Sequence, residues 1–185
     1  MIQIVSILII VLGLTVGMPL VVNSSRLIHR QLILGLIFCV YLVGNLYFTV
    51  FSRTAGSSQH FELQPFRVYG RLFESPTEEE IAIGFAAIFL QGILPIVGLI
   101  LNILLYYPLG YLLPILFPKL KPKHIILIGC LCSIATEATQ YLLKMGWCET
   151  DDVIHNTLGT VLGVWIWHLQ GKRLNNNNEQ RSKQE

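Results

Sequence analysis

Charge is what this chain lacks. Of its 185 residues only 13% are Asp, Glu, Lys or Arg, and the formal net charge is +2. So few charges cannot keep the surface of a soluble domain hydrated, and with 53% hydrophobic residues and a mean hydropathy of +0.60 the chain reads as an integral membrane protein. No basic run is interleaved with aromatics, which excludes nucleic acid as a partner. No Walker loop, serine elbow or zinc signature occurs, so no catalytic residue, metal or cofactor is predicted, and binding is favoured over catalysis. The four cysteines, Cys39, Cys130, Cys132 and Cys148, have no disulfide or metal spacing. The first three sit in apolar segments as small hydrophobes, and Cys148, in a loop, is expected to be the exposed thiol.

Long apolar runs are what it has. Crossings are expected over Ile2 to Val22, Leu32 to Phe51, Gly92 to Leu116, His124 to Met145 and Asp152 to His168. The first has no basic leader or small-x-small cleavage site and reads as an uncleaved anchor. The run from Ile81 to Phe117 is too long for one crossing, so an interfacial or re-entrant piece is expected from Ile81 to Gln91. The alternative is two tight spans meeting near Pro95, making six crossings. Pro108 predicts a kink near Leu104. Between the second and third spans, Ser52 to Glu80 mixes Phe61, Phe66, Tyr69 and Phe73 with arginines and suits the membrane interface. Asn45 reads as helix glue.

The expected fold is therefore an all-α integral membrane protein of five transmembrane helices, six in the alternative, with an extracellular interfacial segment. Residues 1–170 form the membrane domain and 171–185 a disordered polar tail. One side receives Arg26, Arg30, Lys119, Lys121, Lys123, Lys172, Arg173, Arg181 and Lys183, nine of the thirteen basic residues. The positive-inside rule then places the N-terminus outside and the C-terminus in the cytoplasm of a multi-pass cell-membrane protein.

Ser133 to Gly163 puts acids, amides and hydroxyls into otherwise apolar sequence. At helical spacing Ser133, Glu137, Gln140 and Lys144 share one stripe, and Asp152, Asn156, Gly159 and Gly163 share one on the next helix. A turn at Gly146 makes the two helices antiparallel neighbours whose stripes can face each other. An isolated Glu137 in hydrocarbon would cost ~2.5 kcal/mol or more, so it is expected to be protonated or paired, with Arg53 or Arg67 as partner and Asn102 and Gln140 completing its hydrogen bonds. Against that stands a purely architectural role: Asn102, Gln140 and Asn156 pinning helices, Gly159-x-x-x-Gly163 as a close-packing motif, and Asp152 as an N-cap. His155 lies near Asp151 and Asp152, but no second histidine stands at ligand spacing, so no metal site is predicted.

In order along the chain, Ser52-Arg53, Leu63 to Arg67 (LQPFR), Asn102 with Tyr106 to Gly110 (YYPLG), Glu137-x-x-Gln140, and Asp151 to Gly159 (DDVIHNTLG) with Gly163 make the sequence resemble the VanZ-like family of small membrane proteins. The resemblance covers Leu42 to Trp167. Family members often carry arginine after the glycine that precedes the acidic turn, whereas Trp147-Cys148 follows Gly146 here, leaving Lys144 or Arg53 as substitutes. The resemblance implies lowered susceptibility to teicoplanin and other lipid-bearing glycopeptide antibiotics in a bacterial membrane. It supplies no reaction or catalytic residue.

The expected ligand-binding residues are Arg53, Arg67, Asn102, Glu137, Gln140, Asp151, Asp152 and Asn156, gathered in an outward-facing pocket. Its partners would be membrane lipids and a lipid-linked peptidoglycan precursor or a lipoglycopeptide. The competing readings are a membrane enzyme on a polyprenyl-linked or peptidoglycan substrate, using Glu137 or Asp152 as general acid or base, and a scaffold for a wall-synthesis enzyme.

Overall fold

A computed structural model describes residues 30–51, 60–66, 70, 77–78, 81, 84–144 and 147–182. Four long helices carry the described chain: α1 Arg30–Leu46, α2 Phe85–Leu116, α3 Pro122–Leu142 and α4 Thr150–Ser182. A π-helical turn, Tyr47–Phe51, extends α1. Gln31–Val50, Gly92–Leu116 and Pro122–Leu142 are long and apolar enough to cross a membrane, three such segments among the described residues. The expected first crossing lies outside those residues. The expected fifth, α4, falls short in hydropathy because its first turns carry Asp151, Asp152, His155 and Asn156. Packing by α2 and α3 covers that polarity with protein.

The Ile81 to Phe117 run holds the expected crossing, Gly92–Leu116, but without a separate piece before it. One continuous helix begins at Phe85 and passes through Pro95, Pro108 and Pro114 to Leu116, so residues 85–91 extend the spanning helix and no second crossing turns at Pro95. Its entry residue, Gly84, has φ 101°, a left-handed conformation that glycine adopts without strain. α3 begins with Pro122 at its first position, where a missing N–H costs nothing. It ends as Leu143 N–H bonds the Thr139 carbonyl and Lys144 turns left-handed at φ 53°. The backbone of α4 stays helical past His168 to Ser182, through the stretch taken from sequence as an unstructured tail.

A short parallel bridge adds to the expected all-α architecture. β1 His60–Glu62 pairs with β2 Trp147–Glu149 in the register His60 to Trp147, Phe61 to Cys148 and Glu62 to Glu149. Three-residue strands carry no period-2 signal, so sequence could not reveal them. The bridge fixes the end of the 52–66 stretch beside the entry to α4, and Thr150 Oγ1 adds a 3.2 Å bond to the Glu62 carbonyl.

The tightest packing is α2 against α4. A Cβ on Gly159 would overlap the Ile103 backbone, one on Gly163 the backbone of Tyr107, Gly110 and Tyr111, and one on Gly110 the backbone of Thr160. The Gly159-x-x-x-Gly163 motif thus brings two backbones into direct contact, the usual substitute for hydrophobic drive between helices in lipid. Tyr41, Tyr106, Leu109, Leu113, Ile125 and Val164 form the buried core around it.

Candidate functional site

The polar stripe of α3 faces the bundle: Ser133, Glu137 and Gln140 are all buried, while Lys144, beyond the helix end, is exposed. On α4, Asp151, His155, Asn156 and Thr160 are buried in turn. Asn156 Nδ2 donates to Ser133 Oγ at 2.8 Å, so the two stripes do meet.

Above this contact the acidic groups surround the first turn of α4. Asn102 Nδ2 donates to Asp152 Oδ1 at 2.6 Å, joining α2 to α4. Asp151 Oδ1 accepts the Phe66 amide at 2.7 Å, holding the QPF turn. Phe66 has φ 67°, a left-handed conformation that costs a phenylalanine of order 1 kcal/mol and needs such a tether. The amide of Glu149 donates to Glu137 Oε2 at 3.1 Å, so the intramembrane carboxylate of α3 is met by the strand leading into α4. Two acids in the first turn also oppose the positive end of the α4 dipole.

Several expectations are corrected by this arrangement. Asn102 is bonded to Asp152, and Gln140 Nε2 donates to the Thr49 carbonyl of the π turn at 2.7 Å, neither bond being to Glu137. Asp152 lies inside the first turn of a helix that begins at Thr150, so its shown role is acceptor to α2 in place of N-cap. Cys148 is buried on β2, whereas Cys39 and Cys132 are the exposed thiols. Burial raises the Cys148 thiol pKa, and the neighbouring Glu137 carboxylate raises it further. Arg53 and Arg67 lie outside the described residues.

Two clefts open on either side of the α4 entry. The larger, about 620 Å³, lies between α3 and α4, with Glu137, Cys148, Glu149 and Thr150 among its lining and Leu63, Tyr141 and Val153 as apolar wall. The smaller, about 190 Å³, lies against α2 and is lined by Glu149, Asp151, Asp152 and His155. Glu149 and His155 therefore join the site. The signal for Glu149 was its place in the acidic turn, while the Thr49 carbonyl, a backbone group, left no trace in sequence. Among the described residues no three His, Cys, Asp or Glu side chains are grouped to hold a metal. Chemically the clefts offer hydrogen-bond acceptors and negative charge beside apolar walls, which suits a ligand bearing N–H or O–H donors and a hydrocarbon part.

No solved structure matches the chain. Protein VanZ of Enterococcus faecium is 30% identical over 76 residues, which are 40% of this chain and 46% of that protein, so the match spans about half the length of that relative. Residues 32–171, which contain all but the first two residues of α1, the whole of α2 and α3, both strands and the polar face of α4, match VanZ/LLP1, and the chain belongs to that family.

Proposed function

We propose that this protein is a non-catalytic binding protein of the bacterial cell membrane that lowers susceptibility to teicoplanin and related lipoglycopeptides by holding a lipid-linked cell-wall precursor or hindering the drug's approach to it. The observation that carries the reading is the gathering of Asn102, Glu137, Glu149, Asp151 and Asp152 from α2, α3, β2 and α4 around one helix entry. Acids at this density exceed what helix pinning needs, since a carboxylate is far more expensive near lipid than an amide.

In this reading the acids accept from the amino-sugar or peptide part of the ligand. Arg53 and Arg67, two positions after Phe51 and one after Phe66 in the chain, take its phosphates. Gln140 and Asn156 hold the frame beneath. The topology that goes with it has five spans, the N-terminus outside and the α4 entry in the outer leaflet, as the distribution of Lys and Arg supports.

Native mass spectrometry of the purified protein tests this, read together with teicoplanin susceptibility of cells expressing each variant. The wild type is expected to retain lipid-linked precursor, and Arg53→Gln with Arg67→Gln to lose it and the resistance together. Resistance intact in that double variant, or no precursor retained by a resistant wild type, sinks the proposal. Loss of all function on Glu137→Gln alone, with precursor still bound, would instead mark an enzyme.

A further inference from the structure

A cavity of about 330 Å³ lies between α1, α2 and α3, apart from both acidic clefts. Its polar lining is Tyr41, Asn45, Thr49, Tyr106, Thr136 and Thr139 with the Cys132 thiol, and among the described residues no Asp, Glu, Lys or Arg contributes to it. The remaining wall is apolar, including Leu42, Leu46, Val50 and Leu109. Every lining residue falls on one of the three segments able to cross a membrane.

The hydroxyl hydrogens are already directed elsewhere. Thr49 Oγ1 donates to the Asn45 carbonyl at 2.8 Å, Thr136 Oγ1 to the Cys132 carbonyl at 3.0 Å, and Thr139 Oγ1 to the Ala135 carbonyl at 2.7 Å. A hydroxyl has one hydrogen, so these three oxygens have only lone pairs left to offer. Tyr106 OH lies 3.4 Å from Thr136 Oγ1, and because the threonine hydrogen is on Cys132, the tyrosine is the donor. Tyr41 OH donates to the Leu105 carbonyl at 2.9 Å and accepts from Asn45 Nδ2 at 3.2 Å. Among the described residues the cavity is lined without Asp, Glu, Lys or Arg and is rich in acceptors.

That chemistry excludes the simpler occupants. A plain alkyl chain would leave the threonine lone pairs unused, a cation would find no carboxylate among the described lining residues, and a water cluster would face a mostly apolar wall. The π turn supports a built site: it holds Thr49 at the cavity lining while its carbonyl is taken by Gln140, and such turns are frequent at functional sites. The geometry points to a site for an uncharged lipid alcohol, one hydrocarbon chain lying along the apolar wall with its terminal hydroxyl donating its single hydrogen to the oxygen of Thr136 or Thr139. Nothing in this site depends on the acidic clefts.

Photolabelling of the purified protein in nanodiscs tests the assignment. The probes are a diazirine-bearing long-chain alcohol, its methyl ether and its phosphate monoester. The alcohol is expected to label residues 41–50, 106–109 or 132–139 roughly tenfold more than the ether, about the value of one hydrogen bond between groups in lipid. Ala135→Phe fills the cavity from an exposed position on α3 and should abolish labelling. Thr136→Val with Thr139→Val keeps the shape and should remove the preference for the alcohol. Equal labelling by alcohol and ether, stronger labelling by the phosphate, labels confined to residues outside 41–50, 106–109 and 132–139, or unchanged labelling in Ala135→Phe overturns the proposal. Should Ala135→Phe fail to fold, the threonine pair decides alone: an alcohol preference that survives in it overturns the site.

Discussion

Asn102 Nδ2 stands 2.6 Å from Asp152 Oδ1, joining the middle of α2 to the first turn of α4. Residues 50 positions apart are thereby held where the two backbones already touch through Gly159 and Gly163. Their bond is charge-assisted and half-buried. Asn102→Leu is expected to cost ~1.5–3 kcal/mol, the range for a hydrogen bond to a charged group. In thermal unfolding of the purified protein, Asn102→Leu with Asp152→Leu should be less destabilised than the sum of the two single variants; strict additivity would show that the pair is not coupled.

The glycine contacts predict a graded series along one helix. Gly163→Ala places a methyl against the backbone of α2 and should destabilise by ~1–3 kcal/mol, with Gly163→Val worse. Gly171→Ala, on the same helix with nothing within 4 Å, should be neutral or slightly stabilising, because alanine is the better helix former. Equal melting temperatures for Gly163→Ala and Gly171→Ala would contradict the close approach.

Phe66 is left-handed, and its ring is 58% exposed. Replacing it by glycine relieves backbone strain of about 1 kcal/mol while giving up little burial, so Phe66→Gly should melt no lower than wild type despite the loss of an aromatic ring. Asp151→Ala removes the acceptor of the Phe66 amide and should destabilise by ~1–3 kcal/mol. A large loss from Phe66→Gly would mean that the contacts of the ring are worth more than the strain.

Cys148 predicts a pH dependence. Its thiol pKa is raised in the folded protein, first by burial and then by Glu137, so the unfolded chain loses this proton at lower pH than the folded one. The stabilising contribution is complete below the ordinary thiol range and declines as pH rises through the folded pKa. In a variant retaining only Cys148, alkylation at pH 7.5 should be slower than for a free thiol and should speed up in Glu137→Gln. A rate insensitive to Glu137→Gln would remove the carboxylate as a cause.

Much of this arrangement was legible in residue spacing. The interval of 3.6 placed Ser133, Glu137 and Gln140 on one buried stripe and Asn156, Gly159 and Gly163 on the facing one, and composition marked Gly92 to Leu116 as a span. What spacing could not supply was the pairing. Glu137 accepts a backbone amide from β2, its expected guanidinium partners lying outside the described residues, and Gln140 meets the Thr49 carbonyl, because main-chain donors and acceptors are present at every residue and have no signature. Cys148 read as a loop thiol and is buried, since a three-residue bridge to Phe61 is a long-range event without local pattern.

Membrane character, helical class and the identity of the polar faces were determined by sequence alone, because hydropathy and periodicity are summed over neighbours along the chain. Which polar group meets which was decided only by the tertiary structure. Each such bond depends on where two distant backbones cross, and here that crossing is set by how closely α4 can approach α2 through its glycines.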